Sequence, residues 1–144
     1  MIVDTSAIVA IVLGEPGADT LSEILLAANS PRMAAPTLVE LYAVLDNRSS
    51  PAQRRRLDAL LELYGIEVEP FTAEHAEIAR EAYREFGRGS GHPARLNLGD
   101  CFSYALAAAT RDRLLYVGDD FSRTDLRPAH DRRPWVDKQV SEGR

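Results

Sequence analysis

The amino-terminal stretch Met1-Ile2-Val3-Asp4-Thr5-Ser6-Ala7 constrains the fold more than any other part of the chain. Its apolar residues predict a short buried strand that ends at Asp4, and Thr5 or Ser6 is predicted to cap the helix that follows. A carboxylate at that point lies just beyond the carboxyl end of a strand, where open α/β sheets bind their ligands. Asp4 is therefore the first candidate for a functional site.

The rest of the chain alternates between strand and helix patterns. Short apolar or alternating segments at 33–35, 66–69 and 114–117 predict three further strands, separated by helical patterns. Such alternation predicts a single α/β domain with a mostly parallel central sheet of four or five strands and helices on both faces. Segment 66–69 is predicted to lie toward a sheet edge, and residues 135–136 are a candidate edge strand before a frayed tail.

Composition narrows the class of protein. The chain has 144 residues, of which 45% are hydrophobic, enough for one domain with a substantial core. Cys101 is the only cysteine, which excludes an internal disulfide and a thiolate zinc cluster. The sequence shows neither a signal peptide nor an apolar run of membrane-spanning length, so we expect a cytoplasmic protein without membrane contact. A net charge of −5 argues against binding nucleic acid by bulk positive charge.

Several helix ends carry recognisable signals. Thr37-Leu38-Val39-Glu40 matches a capping box and predicts a helix from Leu41. Ser50 and Pro51 predict a helix start, and Gly65 predicts that helix's end. Thr72 and Asn97 are predicted to begin two further helices.

Four acids fall near equivalent ends of successive elements. Asp4 ends the first strand, Glu40 is placed in the first turn of the helix after the second, and Asp120 follows the fourth. Asp100 joins them if its helix begins at the same sheet edge. Helix capping and turn chemistry explain each acid singly, whereas the coincidence of all four favours a common site.

Such a cluster requires a cation. Two carboxylates about 4 Å apart repel by roughly 4 kcal/mol at an effective dielectric constant near 20. Because the predicted ligands are all oxygen atoms, Mg²⁺, with Mn²⁺ as a substitute, is favoured over Zn²⁺. An ion of this kind can bind phosphate oxygens, activate a water and stabilise a leaving oxygen, which is the chemistry of phosphodiester hydrolysis. Ser6, Asn97 and Asp119 are candidate supporting residues.

Three motifs resemble the PIN-domain ribonucleases, and specifically the VapC-type toxins of bacterial type II toxin–antitoxin pairs. They are the opening seven residues, Leu96-Asn97-Leu98-Gly99-Asp100-Cys101-Phe102-Ser103-Tyr104-Ala105-Leu106-Ala107, and Leu114-Leu115-Tyr116-Val117-Gly118-Asp119-Asp120-Phe121 with Thr124-Asp125. The match covers about residues 1–126, which we take as the nuclease domain, and leaves 127–144 as a C-terminal segment.

The resemblance implies a Mg²⁺-dependent endoribonuclease that is inhibited by a small VapB-like antitoxin. It also implies a homodimer and larger toxin–antitoxin assemblies. Asp4 and Asp100 match the family's principal metal ligands, and Glu40 matches its second acid. Asp120 fits the fourth position better than Asp119.

Two other functions remain open. A metal-dependent phosphatase of the aspartyl-phosphate kind requires a second Asp two residues after Asp4, where this chain has Ser6. The other alternative is a catalytically silent PIN-like module that only binds a partner. Cleavage of RNA by purified protein, free of antitoxin, distinguishes an enzyme from such a module.

Overall fold

A computed structural model describes residues 1–130 and shows a parallel sheet covered by helices. Its strands are β1 (Ile2–Val3), β2 (Arg32–Ala34), β3 (Glu67–Glu69) and β4 (Leu114–Leu115). Its helices are α1 (Thr5–Leu13), α2 (Ala18–Ala27), α3 (Ala35–Arg48), α4 (Pro51–Tyr64), α5 (Ala73–Phe86) and α6 (Leu98–Thr110), followed by a 3-10 turn (Phe121–Arg123). The strand order is β3-β2-β1-β4 with every pair parallel. The predicted α/β class is confirmed.

Successive residues of the central strand β1 and its neighbour β4 enter different cores because side chains alternate between the faces of a sheet. Ile2 and Leu114 pack with α5 and α6 on one face. Val3 and Leu115, the next residues along, pack with α1 to α4 on the other. All four are fully buried. This explains why short, wholly apolar strands suffice: both of their faces are covered.

Most predicted helix ends are confirmed. Ser50 caps α4 in a capping box with Gln53, and Gly65 ends that helix in the left-handed conformation at φ 63°. Thr72 caps α5, and Asn97 caps α6. The strand predicted at 66–69 is β3, which lies at the sheet edge as expected.

Two predicted helix starts are wrong. Asp4, and not Thr5 or Ser6, caps α1: its side chain accepts a hydrogen bond from the Ser6 backbone N–H. Helix α3 begins at Ala35 without a capping box, so Glu40 is its sixth residue and lies in the second turn. Pro36 is the second residue of α3, and proline suits a first helical turn because its missing N–H is not needed there.

The β4 edge of the sheet is partly covered by the chain that follows the 3-10 turn. Pro128 pairs with Leu114 in a parallel bridge, and the Ala129 N–H donates to the Leu114 carbonyl over 2.9 Å. The edge strand predicted at 135–136 and the predicted tail lie outside the described residues. Among residues 1–130, none of the helices is both long and apolar enough to cross a membrane.

Candidate functional site

Asp4 is a buried carboxylate that hydroxyl groups hold from two sides. Its side chain is 3% exposed. Oδ2 accepts hydrogen bonds from the Ser6 N–H at 3.0 Å and the Ser6 hydroxyl at 2.7 Å, and Oδ1 accepts one from the Ser103 hydroxyl at 2.6 Å. Ser6 Oγ also accepts a bond from the Val117 N–H at 3.0 Å, which ties the chain after β4 to the end of β1. The orientation of Asp4 is thereby fixed before any ligand arrives.

Helices α3 and α6 meet behind Asp4 through buried hydroxyls. The Thr37 and Ser103 side chains are both fully buried, and their oxygens lie 3.3 Å apart. The Thr5 hydroxyl donates to the Thr37 carbonyl over 3.2 Å. This chain of hydroxyls joins α1, α3 and α6 at the point where Asp4, Glu40 and Asp100 line one cavity.

Glu40 reaches the site from α3 and lies against the first turn of α6. A Cβ placed on Gly99 would overlap its Oε2 and lie 2.5 Å from its Cδ. Burial raises the pKa of the Glu40 carboxyl, the neighbouring Thr5 hydroxyl partly lowers it, and the charge of Asp4 raises it again. Glu40 is therefore close enough to Asp4 for the two charges to repel.

Asp100 lies in the first turn of α6, in a reciprocal capping box with Asn97. Its Oδ2 accepts from the Asn97 N–H at 3.0 Å, and its own N–H donates to Asn97 Oδ1 at 2.8 Å. Burial raises the pKa of Asp100 to about 7 against the lowering effect of the Asn97 N–H, and the charges of Asp4, Asp120 and Glu40 raise it further. The predicted condition, that α6 begin at the carboxyl edge of the sheet, is met.

Asp119 and Asp120 are both exposed on the turn after β4. The charge of Asp120 contributes to the raised pKa of Asp100. The backbone carbonyl of Asp119 accepts a hydrogen bond from the Ser122 hydroxyl at 2.6 Å. Asp120 thus lies within electrostatic range of the three inner acids.

These groups surround a cavity of about 270 Å³ at the carboxyl end of β1. Its lining consists of Asp4, Thr5, Ser6, Val9, Glu15, Glu40, Val44, Arg48, Asn97, Asp100 and Val117. Arg48 is the one basic side chain in that lining, and its guanidinium lies 3.5 Å from the Glu15 carboxylate. The structure therefore brings Asp4, Glu40 and Asp100 together with two of the supporting candidates, Ser6 and Asn97.

The donor set suits a hard cation that keeps part of its water shell. Across residues 1–130, no three Asp, Glu, His or Cys side chains form a group that could hold a metal ion. Both oxygens of Asp4 and one of Asp100 already accept hydrogen bonds from the protein. Mg²⁺ binds through one or two carboxylates and retains several waters. An all-oxygen donor set of this kind is the type that a hydrated divalent cation accepts.

Sequence reasoning missed Ser103, Gly99 and Arg48. Ser103 follows Asp100 by three residues, so helical spacing places both on one face of α6, and this signal could have identified it. Nothing in the sequence marked Gly99, because a glycine in the first turn of a helix does not by itself indicate a contact with another element. Arg48 is the last residue of α3, and no signal near it in the sequence indicates that it lines the cavity.

Comparison with known proteins identifies the family. The family model described as PIN domain matches residues 1–126. The chain belongs to the PIN-domain family. Ribonuclease VapC42 of Mycobacterium tuberculosis is 58% identical over 129 residues, which cover 90% of this chain and 98% of that relative. Ribonuclease VapC28 of the same organism is 49% identical over 133 residues, which cover 92% of this chain and all of the relative.

Two solved structures share the fold. VapC20 of Mycobacterium tuberculosis, described as a sarcin-ricin loop cleaving toxin, aligns with a TM-score of 0.67 at 22% identity over 88% of this chain and 98% of its own. A toxin–antitoxin complex from Klebsiella pneumoniae aligns with a TM-score of 0.61 at 18% identity over 84% and 89% of the two chains. The predicted resemblance to PIN-domain ribonucleases of the VapC type is confirmed, and with it the enzyme class.

Proposed function

We propose that this protein is the toxin of a type II toxin–antitoxin pair, an endoribonuclease that hydrolyses RNA phosphodiester bonds with the help of Mg²⁺. One observation carries the proposal: three carboxyl groups from three different elements share one cavity, where burial and mutual repulsion raise the pKa of Asp100 to about 7. Such repulsion persists in a folded site only if something offsets it. A divalent cation does so and also supplies the chemistry.

The proposed ligands are Asp4, Glu40 and Asp100, with Asp120 as the fourth acid. The effect of the Asp120 charge on Asp100 supports choosing it over Asp119, which we retain as a secondary candidate. When bound, Mg²⁺ neutralises the acids, polarises a phosphate oxygen and favours deprotonation of water.

Other side chains of the cavity orient the carboxylates and offer a contact for the RNA. Ser6 and Ser103 hold the Asp4 carboxylate, and the Asn97 N–H holds that of Asp100. Arg48 lines the cavity, where its guanidinium can contact an RNA phosphate. Its ion pair with Glu15 is exposed and therefore weak, so the exchange of Glu15 for a phosphate costs little.

The proposed role as a toxin also implies an antitoxin and further copies of this chain as partners. The proposed antitoxin is VapB-like, which the structural likeness to a toxin–antitoxin complex supports. We also propose a homodimer within a larger toxin–antitoxin assembly, a cytoplasmic location, and a nuclease domain at 1–126 followed by a C-terminal segment at 127–144.

Purified protein, free of antitoxin, tests the function. We expect it to cleave total RNA into fragments in Mg²⁺ or Mn²⁺ and to be inactive in EDTA, and sequencing of the fragments' 5′ ends identifies the cleavage sites. RNA binding without cleavage in either metal would favour the silent module. Release of phosphate from monoesters with intact RNA would favour the phosphatase.

A further inference from the structure

We propose that Gly99 is a positioning residue of the acidic site. Its missing side chain leaves the space that the Glu40 carboxyl occupies against the first turn of α6, next to Asp100. The inference rests on the proposed function of these acids, since it concerns how one of them is placed.

The contact is between two elements far apart in sequence. Glu40 is on α3 and Gly99 is the second residue of α6. A Cβ on Gly99 would overlap Glu40 Oε2, and its distances to Cδ and Oε1 would be 2.5 and 3.0 Å. Both distances are below those of ordinary van der Waals contact. With any other residue at position 99, the Glu40 carboxyl has to leave its place.

Backbone conformation does not account for this glycine. Gly99 is helical, and among the common residues only proline is a poorer helix former. Alanine at this position therefore suits the helix itself. Glycine is favoured at position 99 because of the contact with Glu40, and not because of the helix backbone.

A methyl group at position 99 displaces a flexible side chain and leaves the fold intact. The Glu40 carboxyl is the end of a mobile chain, and it moves more easily than the α6 backbone. Its present place, at the positive end of a helix dipole, favours a negative charge. The expected defect is thus in the acid site and not in folding.

The test compares Gly99→Ala, Glu40→Gln and the double variant. We measure kcat/KM for RNA cleavage, the Mn²⁺ concentration at half-maximal rate, and the melting temperature in EDTA. Gly99→Ala is expected to lose about 10–100-fold in activity, as when a group that orients a metal ligand is disturbed, with an unchanged or higher melting temperature. The double variant should lose no more than Glu40→Gln alone.

A conservative change separates positioning from a general structural role. In the Gly99→Ala background, Glu40→Asp shortens the side chain by one methylene and should recover part of the lost activity. The same change in the wild-type background should only lower activity. Leu98→Ala, one residue earlier on α6 with a side chain 60% exposed, is the matched control and should leave the Mn²⁺ response unchanged.

Full activity of Gly99→Ala, or losses that multiply in the double variant, would overturn the inference. A double-mutant cycle of melting temperatures tests the positioning role of Gly99 even if no variant cleaves RNA. Absence of cleavage by every protein, the wild type included, would count against the proposed function alone. Gly99→Ala should raise the melting temperature more in a Glu40→Ala background, where its methyl meets no carboxyl, than in the wild type. Equal shifts in the two backgrounds would also overturn it.

Discussion

Replacement of Asp100 by asparagine should stabilise the metal-free protein at neutral pH. The folded pKa of this carboxyl is about 7, raised by burial from an ordinary value of 3.8. Between these two values the folded state holds a proton that the unfolded state has lost, so the free energy of unfolding falls as the pH rises from about 4 to about 7. Above that range both states are ionised and this dependence ends.

The magnitude follows from the difference between the two pKa values. About three pH units correspond to about 4 kcal/mol, at about 1.36 kcal/mol per unit. Asp100 keeps partial access to solvent, which screens the effect, so we expect a gain of about 2 kcal/mol. For a domain of this size that raises the melting temperature by about 4–8 °C. Asparagine retains an oxygen that can accept from the Asn97 N–H, so the helix cap is preserved.

Denaturation in urea, followed by circular dichroism at low salt in EDTA, measures the difference at pH 4.5 and pH 7.5. Asp100→Asn should match the wild type at the lower pH and exceed it at the higher. In saturating Mn²⁺ the order should reverse, because the wild type binds the ion more tightly. Asp46→Asn, which removes an exposed acid of α3, is the control. An equal change at both pH values, or none, would refute the electrostatic reasoning.

Three further changes probe other parts of the structure. Ser103→Ala removes a buried donor to Asp4 and should lower the free energy of unfolding by about 1–3 kcal/mol in a urea titration; an unchanged midpoint would contradict the contact. Arg48→Ala should raise KM for RNA severalfold while the half-maximal Mn²⁺ concentration stays constant, whereas a shift in the metal response would place Arg48 among the groups that hold the ion. Ser50→Ala should lower the free energy of unfolding by about 1 kcal/mol through loss of the α4 cap, and Ser50→Asp, which keeps an oxygen that can accept at the cap, serves as its comparison.

The sequence carried enough information for the sheet and for most helix boundaries. Ile2 and Val3 are both apolar because each faces a different core, and that pattern predicted a covered parallel sheet. Ser50, Gly65 and Asn97 acted locally, so their roles could be read from their neighbours in the chain. Local signals also failed twice, because neither Thr5 nor Ser6 caps α1 and the Thr37–Glu40 pattern does not begin α3.

The contacts between helices were beyond such reasoning. Helix α3 starts at Ala35, five residues before Glu40, with Pro36 in its first turn and no side-chain cap. The contact of Glu40 with Gly99 joins residues of α3 and α6, and no local sequence pattern around either residue predicts it. Likewise, the hydrogen bond that Asp4 accepts from Ser103 depends on how α6 crosses the end of β1.

The rate of RNA cleavage as a function of Mg²⁺ concentration, compared between the wild type and Asp4→Asn, tests the central claim most directly. Circular dichroism first establishes that the variant is folded. We expect the wild type to gain activity with Mg²⁺ and to saturate, and Asp4→Asn to lose at least about 100-fold at every concentration. Wild-type rates in a folded Asp4→Asn protein, or cleavage that persists undiminished in EDTA, would contradict the assignment of this acidic cavity as the active site.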